Sequence, residues 1–215
     1  MSPAQALATN KLQACGGSLS ASLYFIRRKV VSLADQKLNI LMTFIGSTSG
    51  ALLVQHVQSD ILRQILPILV ICIGLYFLLM PKLGEEDRQR RLHGLPFALI
   101  AGGCVGFYDG FFGPGTGTIL ILLFTWLLKM DAVSASGAAK MTNLASNVAA
   151  MTSLIHSGNV LFALAVPAMV CSAAGGYLGA KLALVVGAKL IRIMMVVVMG
   201  LILLSLVLKY FGVKF

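Results

Sequence analysis

GFYDGFFGPGTGTI, residues 106–119, sets one aspartate among five glycines and a proline, inside an apolar run. Asp109 is the only acidic residue between Asp87 and Asp131. The sequence on either side is helical in pattern but short: about 15 residues from Leu95 to Asp109, and about 14 from Thr116 to Lys129. At about 1.5 Å per residue each half reaches roughly 21–23 Å, less than the roughly 30 Å hydrocarbon core of a bilayer. Between the halves, residues 113–117 read Gly-Pro-Gly-Thr-Gly. Proline has no amide hydrogen to continue a helix, and glycine gives up the most backbone freedom in one. The stretch therefore predicts two half-helices joined by a tight turn, a re-entrant hairpin. A single kinked transmembrane helix is the plainer alternative.

The rest of the composition supports a membrane setting. The 215-residue chain is 58% hydrophobic and 11% charged, where a soluble domain carries about 25% charged residues. Apolar runs at 38–55, 61–80, 96–128, 160–180 and 190–211 alternate with short basic segments. An all-α, polytopic membrane bundle is expected. The net charge of +10 sits beside these runs, where it orients segments rather than binding nucleic acid. Cys15, Cys72, Cys104 and Cys171 form no CxxC pair and are expected as buried thiols. His56, His93 and His156 show no HExxH spacing, so no metal or other cofactor is expected. No GxSxG or paired intramembrane carboxylate suggests an enzyme. The opening MSPAQALATNKL has no signal-peptide pattern and reads as a helix start, with Ser2 as N-cap, Pro3 in the first turn and Gln5 completing a capping box.

Sliding the chain by 129 residues aligns it with itself. Lys11 meets Lys140, Val31 meets Val160, Arg63 meets Arg192, and Gly46 and Gly50 meet Gly175 and Gly179. The offset defines a first repeat, 1–82, a charged linker, 83–94, and a second repeat, 95–215. The 95–129 hairpin has no first-half partner; its counterpart would fall upstream of Met1, so the first repeat is expected to lack its hairpin. The loops 27–37 and 81–94 each carry four Lys or Arg and, by the positive-inside rule, are expected to be cytoplasmic. The second-half counterpart of the first loop, HSGN, carries none. Charge bias thus swaps between the copies, as it does in inverted repeats.

A carboxylate at membrane depth costs about 2.5–3.5 kcal/mol or more and should face the interior with a partner. The stretch GAAKMTNLASNVAAM presents Lys140, Asn143 and Asn147 at i, i+3 and i+7 of a helix, so a simple Asp109–Lys140 tie is one expectation. Lys11, with Ser18 and Ser22, takes matching steps in the first half. Lysine charge, amide and hydroxyl groups, and the glycine amides of a broken helix suit a small anion. Candidate binding residues are Lys11, Asp109, Gly113, Gly115, Thr116, Gly117, Lys140, Asn143 and Asn147. Asp109 would carry a proton or balance the empty site; both lysines could instead snorkel to an interface. The 46/50 and 175/179 glycine pairs are expected to serve helix packing, Met194 and its neighbours to fill space, and Trp126 to anchor at an interface.

In combination GFYDGFFGPGTG, the helix starts ATNKLQ and AAKMTN, and GGYLGAKLA resemble the TauE/SafE sulfite-exporter family, over essentially the whole chain. The resemblance implies an eight-segment secondary carrier of two inverted repeats in the bacterial inner membrane, moving sulfite, organosulfonates such as sulfoacetate, thiosulfate or related anions by alternating access. The family's first-repeat hairpin is absent here, in line with the gap in the repeat. An anion channel, or an inactive truncated carrier, is the alternative. The partners expected are a small anion and the bilayer, with no nucleic acid; homo-oligomerisation stays open.

Overall fold

The computed structural model describes residues 3–57, 94–155 and 158–187, together with 189, 191, 193–194, 197–198, 200–201 and 204 of a last helical run. The 61–80 segment and all but Gly94 of the 81–94 loop lie outside the described residues, as do Ser2, Cys72, His93 and His156. Every described element is helical, and no strand occurs among the described residues. In chain order these are α1 (Pro3–Arg27), α2 (Leu33–Val54), α3 (Leu95–Phe111), α4 (Thr116–Leu127), α5 (Ala132–Ile155) and α6 (Phe162–Val186).

Packing skips from one half to the other. α1 lies against α5 and α6, while α2 lies against α3 and α5; consecutive helices α1 and α2 make few contacts. α5 reaches all the others because the residues it buries are mostly small: Ala135, Ser136, Gly137, Ala138, Ala139, Ser146, Ala149 and Ala150 among them. Without bulky side chains, backbones come close enough for packing forces to hold them, since lipid offers no hydrophobic drive to associate. Short hydroxyl and amide groups tie the same seams. Asn39 Nδ2 donates to Thr142 Oγ1 at 2.7 Å and Ser47 Oγ donates to the Ser146 carbonyl at 2.7 Å.

The α2–α3 seam is the closest. A Cβ on Gly46 or Gly50 of α2 would strike the α3 backbone at Gly103 or Phe107, and a Cβ on Gly102, Gly106 or Gly110 of α3 would strike α2 at Asn39, Thr43 or Ser47. Two stripes at i, i+4 spacing interlock, so no larger residue fits at either one. The π-helical turn Ala98–Cys104 inside α3 re-aims the helix at this seam; nothing in the sequence signals it beyond the Gly102–Gly103 pair.

Two apolar clusters close the ends of the bundle, one around Phe25, Phe97, Leu120 and Phe124, the other around Ala8, Val54, Ala150 and Leu154. Along α1 and α5 the polar residues Lys11 to Ser18 and Lys140 to Asn147 fall between them. The exterior is apolar: Leu164, Val170, Leu178 and Val185 are each about 60% exposed or more. Such a coat suits lipid rather than water. Two described helices, Leu33–Val54 and Phe162–Val186, are long and apolar enough to cross a bilayer, with hydropathies of 1.3 and 1.6. Cys104 and Cys171 are exposed on this exterior and Cys15 is half-buried, which corrects the expectation of buried thiols. Each is small and apolar enough to sit on a lipid-facing surface.

Helix starts keep the 129-residue offset. α1 begins at Pro3 and α5 at Ala132; α2 begins at Leu33 and α6 at Phe162. Contacts between the halves are reciprocal as well. The Gly17 carbonyl abuts Gly176, and at the offset positions the Ser146 carbonyl abuts Ser47.

Candidate functional site

The broken helix forms as its composition dictates. α3 ends at Phe111, and Gly113 and Gly115 take φ of +92° and +80°, values that a side chain resists. Gly115 caps the start of α4 in the left-handed conformation. Tyr108 straps the turn, its hydroxyl donating to the Pro114 carbonyl at 2.6 Å. The hairpin so made holds Asp109 and Thr116 face to face. Thr116 Oγ1 lies 2.7 Å from Asp109 Oδ1 and 2.7 Å from the Gly113 carbonyl, within donating distance of both.

Asp109 is 2% exposed and its partner is Lys11, not Lys140. Lys11 Nζ stands 2.9 Å from Asp109 Oδ2, an ion pair between side chains 1% and 3% exposed. That oxygen has no other partner among the described residues. The expected Asp109–Lys140 tie is therefore corrected: α3 delivers its carboxylate to Lys11 of α1. The ammonium also donates to Asn147 Oδ1 at 3.3 Å, and Asn147 Nδ2 donates to Asn143 Oδ1 at 2.9 Å. Neither Lys11 nor Asp109 snorkels. Both are sealed between the two apolar clusters, where a lone charge would be very costly and a paired one is tolerable.

Lys140 has no ion pair among the described residues. It borders a cavity of about 340 Å³ that also touches Lys11, Asp109, Gly113, Gly115, Thr116, Gly117, Asn143 and Asn147. All nine candidate binding residues line this one space, joined by Asn10 and Thr118. The charged side chains among them are two lysines and one carboxylate, which leaves one positive charge uncompensated. No group of three or more potential metal ligands occurs among the described residues.

The Asn39, Thr43 and Ser47 stripe of α2 is not among those candidates, yet it is buried against α3 and α5. Its signal is present in the chain: three polar residues at i, i+4 and i+8 in an apolar helix. The glycine pairs also part company. Gly46 and Gly50 pack as expected, while no described atom lies within 4 Å of a Cβ placed on Gly175 or Gly179.

A helical bundle with an apolar exterior and a cavity between its helices bordered by charged and polar side chains is the architecture of a membrane transport protein. The comparisons make that class specific. The family profile "Sulfite exporter TauE/SafE" matches residues 1–206, and the chain belongs to that family. It is 65% identical over 198 residues to the "Probable membrane transporter protein YfcA" of Escherichia coli strain K12, a match covering 92% of this chain and 74% of that protein. A "Probable membrane transporter protein" of Haemophilus influenzae is 46% identical over 92% of this chain and 77% of its own length. One from a Sinorhizobium species, named ORF9, is 39% identical over 91% and 75%. No solved structure matches the chain.

Proposed function

We propose that this chain is a secondary carrier of small anions, sulfite or a related sulfur-containing or organic anion, acting in the bacterial inner membrane rather than as an enzyme. One observation carries the reading: two lysines at equivalent repeat positions border one cavity that contains a single carboxylate. The surplus positive charge favours an anion there. The Asn143 and Asn147 amides, the Thr116 hydroxyl and the glycine backbone of the turn offer it hydrogen bonds. Asp109 holds Lys11 while the site is empty. An arriving anion competes with that carboxylate, and the hairpin that bears Asp109 is the element such an exchange would move.

The halves, 1–82 and 95–215 about the 83–94 linker, are read as inverted repeats. The shared helix offsets, the reciprocal contacts and the swapped loop charges support that reading, with the 27–37 and 81–94 loops on the cytoplasmic side. Alternating access about the hairpin follows from it.

The purified chain in proteoliposomes, given radiolabelled sulfite, is expected to show saturable uptake and exchange with unlabelled sulfite inside. Lys140→Ala should lower that uptake at least tenfold while leaving the melting temperature nearly unchanged. Uptake that never saturates and shows no exchange would make the protein a channel. Uptake insensitive to Lys140→Ala would remove the site from the path.

A further inference from the structure

A lysine ammonium can only donate, and this fixes the direction of a hydrogen-bond chain along the cavity wall. Lys11 Nζ lies 3.3 Å from the Asn147 amide, which must therefore turn its Oδ1 to the ammonium. Asn147 Nδ2 is then left to donate to Asn143 Oδ1, at 2.9 Å. Asn143 in turn has only its own Nδ2 to offer. That nitrogen lies by the first turn of α4, where a Cβ on Gly117 would come 3.8 Å from it. No link of the chain can reverse while the ammonium stays.

The acceptors around this chain are already met by donors of the protein. Asp109 has Thr116 at Oδ1 and Lys11 at Oδ2, and the Gly113 carbonyl accepts from the Thr116 amide at 3.4 Å. Lys140 Nζ and Asn143 Nδ2, one turn apart on α5, both border the 340 Å³ cavity and have no partner among the described residues. Both are donors. Asn10, which is exposed, and Thr118 also border it and can serve either way.

We infer that the Lys11–Asn147–Asn143 chain sets the ligand's chemical class, an oxyanion whose oxygens carry no proton as against one that keeps a hydroxyl. Asn147 is the positioning residue, holding the Asn143 N–H toward the anion; this rests on the anion-site reading above and narrows it. A hydroxyl-bearing anion of the same charge must also donate, and would have to share an acceptor already in use. Leaving that donor unmatched costs affinity that a proton-free anion keeps.

Methanesulfonate and methylphosphonate, alike in shape, separate the two classes. In mildly acid buffer both are monoanions, and only the phosphonate carries a proton. Titrated calorimetrically into the full chain in detergent at constant ionic strength, methanesulfonate should bind about tenfold more tightly or better. In alkaline buffer the phosphonate loses its proton, and the gap should vanish or reverse. Methanesulfonate does not titrate over this range, so it reports any change in the charged groups of the lining, Lys11, Lys140 and Asp109. Asn147→Ala frees the Asn143 amide to turn and should cut the preference several-fold while methanesulfonate still binds. A merely structural role would not move that ratio. Asn143→Asp puts an oxygen where the nitrogen stood and should abolish the preference. Should neither variant fold, the two probes on the unaltered chain decide alone. Equal affinities in acid buffer, a gap undiminished in alkali, or a preference intact in Asn147→Ala would overturn the selection rule and leave the carrier reading standing. No binding of either probe would overturn both.

Discussion

Lys11 and Lys140 stand 129 residues apart, on helices whose starts keep the same offset, and their partners differ. Lys11 is 1% exposed, held by Asp109 at 2.9 Å and by Asn147 at 3.3 Å. Lys140 borders two cavities and has no carboxylate among the described residues. The helices beside them differ in the same way, α2 locked to α3 and α6 without a described neighbour along the matching stripe. The difference arises from one element. Where a hairpin is present, it covers the glycine stripe and neutralises the lysine together. A glycine pair at i and i+4 therefore does not determine its own burial; its neighbour does.

The largest effect expected is at the ion pair. Asp109→Ala leaves a buried ammonium unpaired and should destabilise by about 3–5 kcal/mol, seen as a large drop in melting temperature in detergent. Lys140→Met should change stability little or raise it, because it removes a charge that no described carboxylate balances. Equal losses at the two lysines would erase the contrast. Next come the seams: Gly50→Leu forces a side chain into the Phe107 carbonyl and should cost about 1–3 kcal/mol or more, whereas Gly179→Leu should stay within about 0.5 kcal/mol. Thr116→Val removes a hydroxyl that donates to a carboxylate, for about 1.5–3 kcal/mol; Thr116→Ser should recover most of it.

The smallest expected effect concerns Asp131, just ahead of α5. Its Oδ1 accepts from the Val133 and Ser134 amides at 3.0 Å each, as an N-cap does. Partial burial pushes its carboxyl up, but the hydrogen bonds from Ser134 and Val133 outweigh this and hold it below the ordinary carboxylate range. A carboxyl depressed by folding stabilises the fold above its unfolded pKa, and the benefit disappears as pH falls through the lower folded value. Asp131→Ala should therefore cost about 1 kcal/mol at pH 7. Melts taken from pH 7 down through the acid range should converge for the two proteins. A gap that persists in acid would deny the cap its charge.

The hairpin is legible in the amino-acid sequence because glycine and proline act locally. Gly113, Pro114 and Gly115 break a helix whatever surrounds them, and the left-handed φ values at both glycines follow. The polar stripe of α5 is legible from spacing, and so is the convergence of nine residues on one interior, since buried polar groups in lipid have nowhere else to go. Asp109's partner is not legible. Lys11 and Lys140 offer the same chemistry, and only the packing of α3 against α2 and α5 decides which of them the carboxylate meets. The π-helical turn in α3, which lies against α2, is not legible beyond the Gly102–Gly103 pair.

The order of residues is enough to dictate the helical class, the broken hairpin, the 129-residue offset of the helix starts and the side chains that meet at the cavity. Each of these follows from local backbone freedom, apolar run length or spacing along one helix. Which lysine holds the carboxylate, and which glycine stripe is filled, is settled only in the packed bundle. Those outcomes depend on a neighbour approaching from another part of the chain, and two equal stripes cannot encode which of them is met.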